Sequence, residues 1–168
     1  MRSYKLIILS LLLGFGLSSC FDDASYPEEP AIEYESFRSD GDVGYLRVNF
    51  TDGDGDLGLN SSGADMQAPY DSGSFYHHNF YMMYMEKDDQ LGWVPGLDLS
   101  GDTIFFKYRI KRIDKNTSNG LKGTFEVKIE PTYYNTISDQ SDTIRFRMKL
   151  IDRALNESAW VDTDPIIR

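Results

Sequence analysis

The chain has 168 residues, with 27 acidic against 17 basic side chains, a formal charge of −10 and a single cysteine. That length holds one domain rather than two. One cysteine excludes a disulfide scaffold and a cysteine-based zinc site, the acidic balance disfavours nucleic acid, and 14% aromatic residues is too many for a disordered chain.

In chain order, Arg2 and Lys5 precede an uncharged run over residues 6–17 (LIILSLLLGFGL). It is shorter than the ~20 residues needed to span a bilayer and fits the apolar core of a signal peptide. Leu17-Ser18-Ser19-Cys20 follows. This resembles the bacterial lipobox, which implies cleavage before Cys20, diacylation of its thiol and acylation of the new N-terminus. The alternative is an ordinary signal peptide with an incidental cysteine. The expected division is a leader over 1–19, a lipidated acidic linker over 20–30 and a folded domain over 31–168. Loss of the leader removes two positive charges and takes the net charge to −12. The pair Asp22-Asp23 resembles the surface-export signal of Bacteroidetes lipoproteins, although random acids in a solvated tether would read the same. The expected location is therefore the cell envelope, lipid-anchored, at the outer membrane or cell surface rather than the inner membrane.

Beyond residue 31 the hydrophobic period is two. Residues 45–51 (YLRVNFT), 106–111 (FKYRIK), 124–130 (TFEVKIE) and 144–150 (IRFRMKL) alternate apolar and polar side chains, which predicts strands with one buried face. Residues 79–86 (NFYMMYME) are apolar on both faces and predict a central strand. Residues 31–38 and 159–163 supply a first and a last strand. Residues 91–97 (LGWVPGL), with Pro95 and two glycines, read as a loop excursion. Asn119-Gly120 reads as a hairpin turn, since both residues tolerate positive φ. The expected fold is all-β: a single Ig-like antiparallel β-sandwich of 7–8 strands.

Residues 150–160 (LIDRALNESAW) resemble the end of the penultimate strand and the following loop of bacterial Ig-like domains, in Asp152, Ala154, Asn156 and Ser158. Leu155 stands where that pattern has glycine. With residues 31–35, 49–59 and 144–158, the chain resembles an uncharacterised Bacteroidetes lipoprotein family with an Ig-like or fibronectin-III-like sandwich. The resemblance implies no activity.

Residues 51–59 (TDGDGDLGL) are the sharpest chemical feature. Asp52, Asp54 and Asp56 alternate with Gly53 and Gly55, so a curled backbone can turn carboxylates onto one hard cation. The Asp-x-Asp-x-Asp spacing resembles an EF-hand loop, but Leu57 and Gly63 stand where that loop needs Gly and Glu, so it is not one. Calcium takes 6–8 oxygens. If the acidic loop and residues 152–158 share a pole of the sandwich, Asp152 and Asn156 can complete the shell. That holds only if residues 91–97 do not cross the sheet. A solvated Asp-Gly turn without metal is the plain alternative.

Other features carry less. His77-His78, on a strand, would point to opposite faces and could not share a metal. Trp93, Trp160, Tyr81, Tyr84, Tyr133 and Tyr134 read as core first and as a ligand platform second. Lys107, Arg109, Lys111, Arg145, Arg147 and Lys149 form an outward basic stripe, for an acidic partner or for cross-strand pairing. Asp102-Thr103-Ile104 and Asp142-Thr143-Ile144 resemble the Bacteroidetes O-glycosylation motif at Thr103 and Thr143. The expected function is a lipid-anchored, non-enzymatic envelope module that binds a protein or glycan and takes no nucleic acid. The competing readings are a small carboxylate or metal hydrolase and a structural subunit of an envelope complex.

Overall fold

The computed structural model describes residues 26–113 and 120–168. Cys20, the leader, the acidic pair Asp22-Asp23 and Asn119 lie outside the described residues. Among the described residues nine strand segments follow one another: β1 (Ala31–Asp40), β2 (Val43–Asp52), β3 (Phe80–Asp88), β4 (Gly92–Pro95), β5 (Phe105–Tyr108), β6 (Leu121–Ile129), β7 (Thr143–Leu150), β8 (Val161–Asp162) and β9 (Ile166–Ile167). Two antiparallel sheets pack as an Ig-like sandwich. One has the order β1-β2-β6; the other has β4 and β5 beside β3, then β7, then β8 and β9. No helix among the described residues is long and apolar enough to cross a membrane.

Strand alternation builds the core. On β2, Leu46, Val48 and Phe50 point inward; on β7, Ile144, Phe146, Met148 and Leu150 do. They meet Phe80, Met82 and Tyr84 of β3 and Val127 and Ile129 of β6. Burying a side chain of this size contributes about 1.5–3 kcal/mol. β3 is central in its sheet, between β7 and the β4–β5 edge; its inner face packs in the core, and Tyr81 on its outer face is covered by Phe75, stacked at 4.7 Å. Its methionines Met82 and Met85 pack in the interior, and Met83 is half-buried.

Two expectations about the strands are corrected. Residues 91–97 are not a loop: Gly92–Pro95 is a strand paired with residues 85–88 of β3. The excursion comes after it, pinched shut by the Leu97↔Thr103 bridge, and β5 then resumes along residues 80–83 of β3. Pro95 is tolerated because β4 is an edge strand and needs no N–H on its outer side. β4 and β5 thus make one crossing between them, and β8 and β9 share the other edge of β7, so seven strand positions carry the nine segments. Gly120 does take a positive φ of 83°. It is not a hairpin turn, however, because β5 and β6 pair into different sheets.

The basic stripe is also dispersed. Arg109 leaves the sheet, since β5 ends at Tyr108, and its guanidinium donates to the carbonyls of Asn60, Asp65 and His77. Arg145 and Arg147 both pair with Asp162, at 3.0 and 2.7 Å, and Lys149 pairs with Glu157 at 2.6 Å. Cross-strand pairing is the use these cations find. The aromatics divide similarly. Tyr84 and Tyr133 belong to the core, Trp93 lies under Arg145, and Trp160 lies under Lys149.

Candidate metal centre

One crossing by β4 and β5 preserves the parity that brings the β2–β3 loop and the β7–β8 loop to one pole. The alternation that buries Leu46, Val48 and Phe50 reaches its last inward position at Asp52, fully buried. The same alternation on β7 runs through Leu150 to Asp152, 2% exposed. Each sheet therefore ends its core row in a carboxylate at the same pole. The sequence held this signal in its period of two, and reading the acidic run only as a loop missed it.

Downstream of Asp52 the loop is stitched to the body. Leu57 and Leu59 are buried, Leu59 N–H donates to the Ile110 carbonyl at 2.9 Å, and Ile113 N–H donates to the Leu57 carbonyl at 3.3 Å. Asp65 holds the next turn. Its carboxylate accepts Asn60 N–H at 2.8 Å and the Arg153 guanidinium at 2.8 Å. Burial alone would raise this carboxyl, but those donors together with Arg109 hold it below its ordinary value. The chain before β1 crosses the loop as well: Gly53 N–H donates to the Pro27 carbonyl at 2.8 Å. A Cβ at residue 53 would sit 2.2 Å from the Tyr26 carbonyl oxygen, so only glycine allows that crossing. His77 closes the long loop in a short 3-10 turn; its ring packs edge-on against His78 at 4.9 Å, and its Nδ1 lies 3.1 Å from the Tyr70 carbonyl. The two histidines are thus off the strand and in contact, contrary to the opposite-face expectation.

Within this frame, one carboxylate oxygen from each of Asp52, Asp54 and Asp56 lies within 4.8 Å of the others. Asp52 Oδ2 accepts Leu57 N–H at 3.0 Å, while its Oδ1 is buried with no hydrogen-bond partner among the described residues. An unpaired buried charge is strongly disfavoured, so the proton is held more tightly. Burial first, then Asp54 and Asp56, push the Asp52 carboxyl up to about 6. Burial and Asp54 also raise Asp56, against Arg153 and Ala154 N–H groups. The nearby guanidinium of Arg153 is already committed to Asp65.

Asp152 and Asn156 stand differently from expectation. Both reach the acidic pole, but Asp152 accepts Asn156 N–H at 2.8 Å and the Asn156 side-chain amide at 2.9 Å. Burial and the other acids raise Asp152 as well, with Asn156 opposing. The convergent oxygens are those of Asp52, Asp54 and Asp56, and Asp152 borders them as a fourth carboxylate. Leu155 makes this turn at a φ of 70°, the left-handed conformation for which glycine would be the usual choice. Thr103 sits at the neck of the excursion and Thr143 opens β7, both half-buried. No family model, curated protein or solved structure matches this chain.

Proposed function

We propose that this protein is a lipid-anchored, non-catalytic interaction module of the cell envelope whose acidic pole is stapled by a divalent cation, calcium by its preference for hard oxygen ligands. The observation that carries the metal is the buried Oδ1 of Asp52, unpartnered among the described residues, beside the carboxylates of Asp54 and Asp56. An ion there turns three mutually repelling charges into ligands and ties the β2–β3 loop to the body. Asp54 is exposed, which gives the ion an entry path. A loop-stapling role suits the surroundings, since the backbone bonds of Leu57 and Leu59 already serve to hold this loop.

The address comes from the lipobox, and the fold is compatible with it. The chain enters β1 at the acidic pole, where Pro27 meets Gly53. Anchored at Cys20, the module would keep that pole toward the membrane and present the other about 30 Å further out, the length of a nine-residue strand.

Thermal unfolding of the full-length protein in detergent tests the metal. Calcium at a hundred times its dissociation constant adds about 2.7 kcal/mol, a rise of several degrees. An unchanged midpoint in millimolar calcium against chelator would remove the metal. Cell fractionation tests the anchor: Cys20→Ala should move the protein out of the membrane fraction, and retention there would refute lipidation.

A further inference from the structure

At the pole opposite the acidic loop, the β3–β4 turn, the 97–103 excursion and the β6–β7 loop line an open cleft of about 620 Å³. Its lining is mixed: Leu91, Val94, Pro95, Leu97 and Ile137 are aliphatic, and the other residues are polar or acidic. Three of the aliphatic residues are exposed, Leu91 at 79%, Leu97 at 50% and Ile137 at 56%, and Leu99 on the same excursion is exposed at 89%. Aliphatic exposure of this degree is concentrated on the elements that frame the opening, as expected for an interaction site.

The cavity is preformed. Asn135 holds two walls together by donating its side-chain amide to the Leu97 carbonyl at 3.0 Å and its backbone N–H to the Tyr84 hydroxyl at 3.0 Å. Gly96 lets the excursion lie on Tyr84, since a Cβ there would be 2.3 Å from the ring. Glu86 lines the cavity and is only 5% exposed. Its Oε2 accepts the Ser138 hydroxyl at 2.7 Å and the Tyr84 hydroxyl lies beside the carboxylate, while its Oε1 is buried and accepts no well-formed hydrogen bond among the described residues. Asp88 stands beside it on the same wall, and no lysine or arginine lines the cavity. The adjoining hollow adds Asp89, Asp139 and Asp142 against Lys87.

We infer that this cleft binds a basic side chain, lysine or arginine, from a segment of a partner polypeptide, with the apolar stem along the aliphatic residues and the cationic head on Glu86. The inference names the partner class of the interaction module and rests on that reading, but on neither its metal nor its anchor. A divalent ion fits poorly here. It needs several free oxygens, whereas Asp88 already accepts Gln90 N–H, Leu91 N–H and the Gln140 amide. A neutral ligand would bring no further donor to the Glu86 Oε1. A long cationic side chain satisfies both halves of the site, because its methylenes pack while its head donates.

The test uses the full-length protein in detergent, with chelator present and at 0.15 M salt to screen the general acidic field. The probes are acetylated, amidated Leu-Lys-Leu and Leu-Arg-Leu tripeptides, against Leu-norleucine-Leu and Leu-Glu-Leu. Methyl chemical shifts of Leu91, Val94, Leu97 and Ile137 report occupancy. The expected result is saturable shifts, with at least one basic peptide bound tenfold or more tightly than the norleucine peptide, and that preference lost in Glu86→Gln. The exposed substitution Ile137→Lys, which plants a competing cation at the rim, should weaken the basic peptides whether or not Glu86→Gln folds. Equal binding of the lysine, arginine and norleucine peptides, the absence of saturable shifts, or an unchanged preference in either variant would overturn the proposal. Because chelator is present throughout, failure here is distinguishable from failure of the calcium and fractionation experiments.

Discussion

Replacing Asp52 by asparagine should stabilise the metal-free protein and abolish its response to calcium. The carboxyl is pushed from its ordinary 3.8 to about 6, by burial first and then by Asp54 and Asp56. A raised acid holds its proton more tightly folded than unfolded, so ionised Asp52 opposes folding above pH 6, and the penalty is relieved as pH falls from 6 toward 4. At about 1.4 kcal/mol per pKa unit, the two-unit shift costs at most about 3 kcal/mol at pH 7. About 1.3 kcal/mol of that should return between pH 7 and pH 5. Asp56 and Asp152 are raised as well and add in the same direction. Asp65 and Asp162 have the opposite sign, Asp65 with burial outweighed by its donors and Asp162 lowered first by its bond to Arg147. Their contribution is present above the unfolded carboxylate value and is lost only as pH falls below about 4. Metal-free stability should therefore go on rising below pH 5 and peak near pH 4. Calcium, which needs the ionised carboxylates, should flatten the rise and stabilise most at pH 7. Asparagine keeps an acceptor for Leu57 N–H, so Asp52→Asn should gain about 1–3 kcal/mol at pH 7 in chelator. Urea unfolding at pH 5, 6 and 7, with chelator and with calcium, measures all of this. A metal-free protein that loses stability from pH 7 to pH 5, or an Asp52→Asn variant less stable than the parent in chelator, would refute the reasoning.

Other substitutions probe the frame around the two poles. Leu155→Gly should raise stability by about 0.5–1 kcal/mol, because the left-handed turn strains a leucine more than the glycine costs in entropy; a chemical-denaturation midpoint that falls would show the turn is not strained. Gly96→Ala should lower stability by about 1–3 kcal/mol, since its methyl meets the Tyr84 ring, and an unchanged midpoint would mean the excursion shifts freely. Arg109→Ala should cost about 2–3 kcal/mol by stranding three loop carbonyls, with Arg109→Lys recovering part of the loss. Limited proteolysis of Arg109→Ala should cut within residues 60–78, and cutting elsewhere would place the clamp wrongly.

The local alternation of residues 45–51, 124–130 and 144–150 was enough to name an all-β sandwich, because a period of two admits one structural answer when one face must be buried. The acidic loop was equally legible as a cluster, because three aspartates within five residues cannot be far apart. Less legible were features that depend on which strand lies beside which. Arg109 reads as one more outward cation until the β2–β3 loop folds over it. Residues 91–97 read as a loop because Pro95 and two glycines disguise an edge strand whose partner is supplied by β3. Asn119-Gly120 reads as a hairpin because turn chemistry is local, whereas the choice of sheet for β6 is made by its long pairing with β2.

The sequence by itself determined the strand class, the apolar rows of the core and the composition of both poles, since these follow from spacing along the chain. Only the tertiary structure decided what the charges at those poles face. Asp52 and Asp152 become a capped, mutually repelling pair because the rows of two different sheets end at one place, and Glu86 becomes a buried carboxylate in a partly aliphatic cleft because three separate loops line it. Both outcomes depend on desolvation, which is set by neighbours distant in the chain and is invisible to any local pattern.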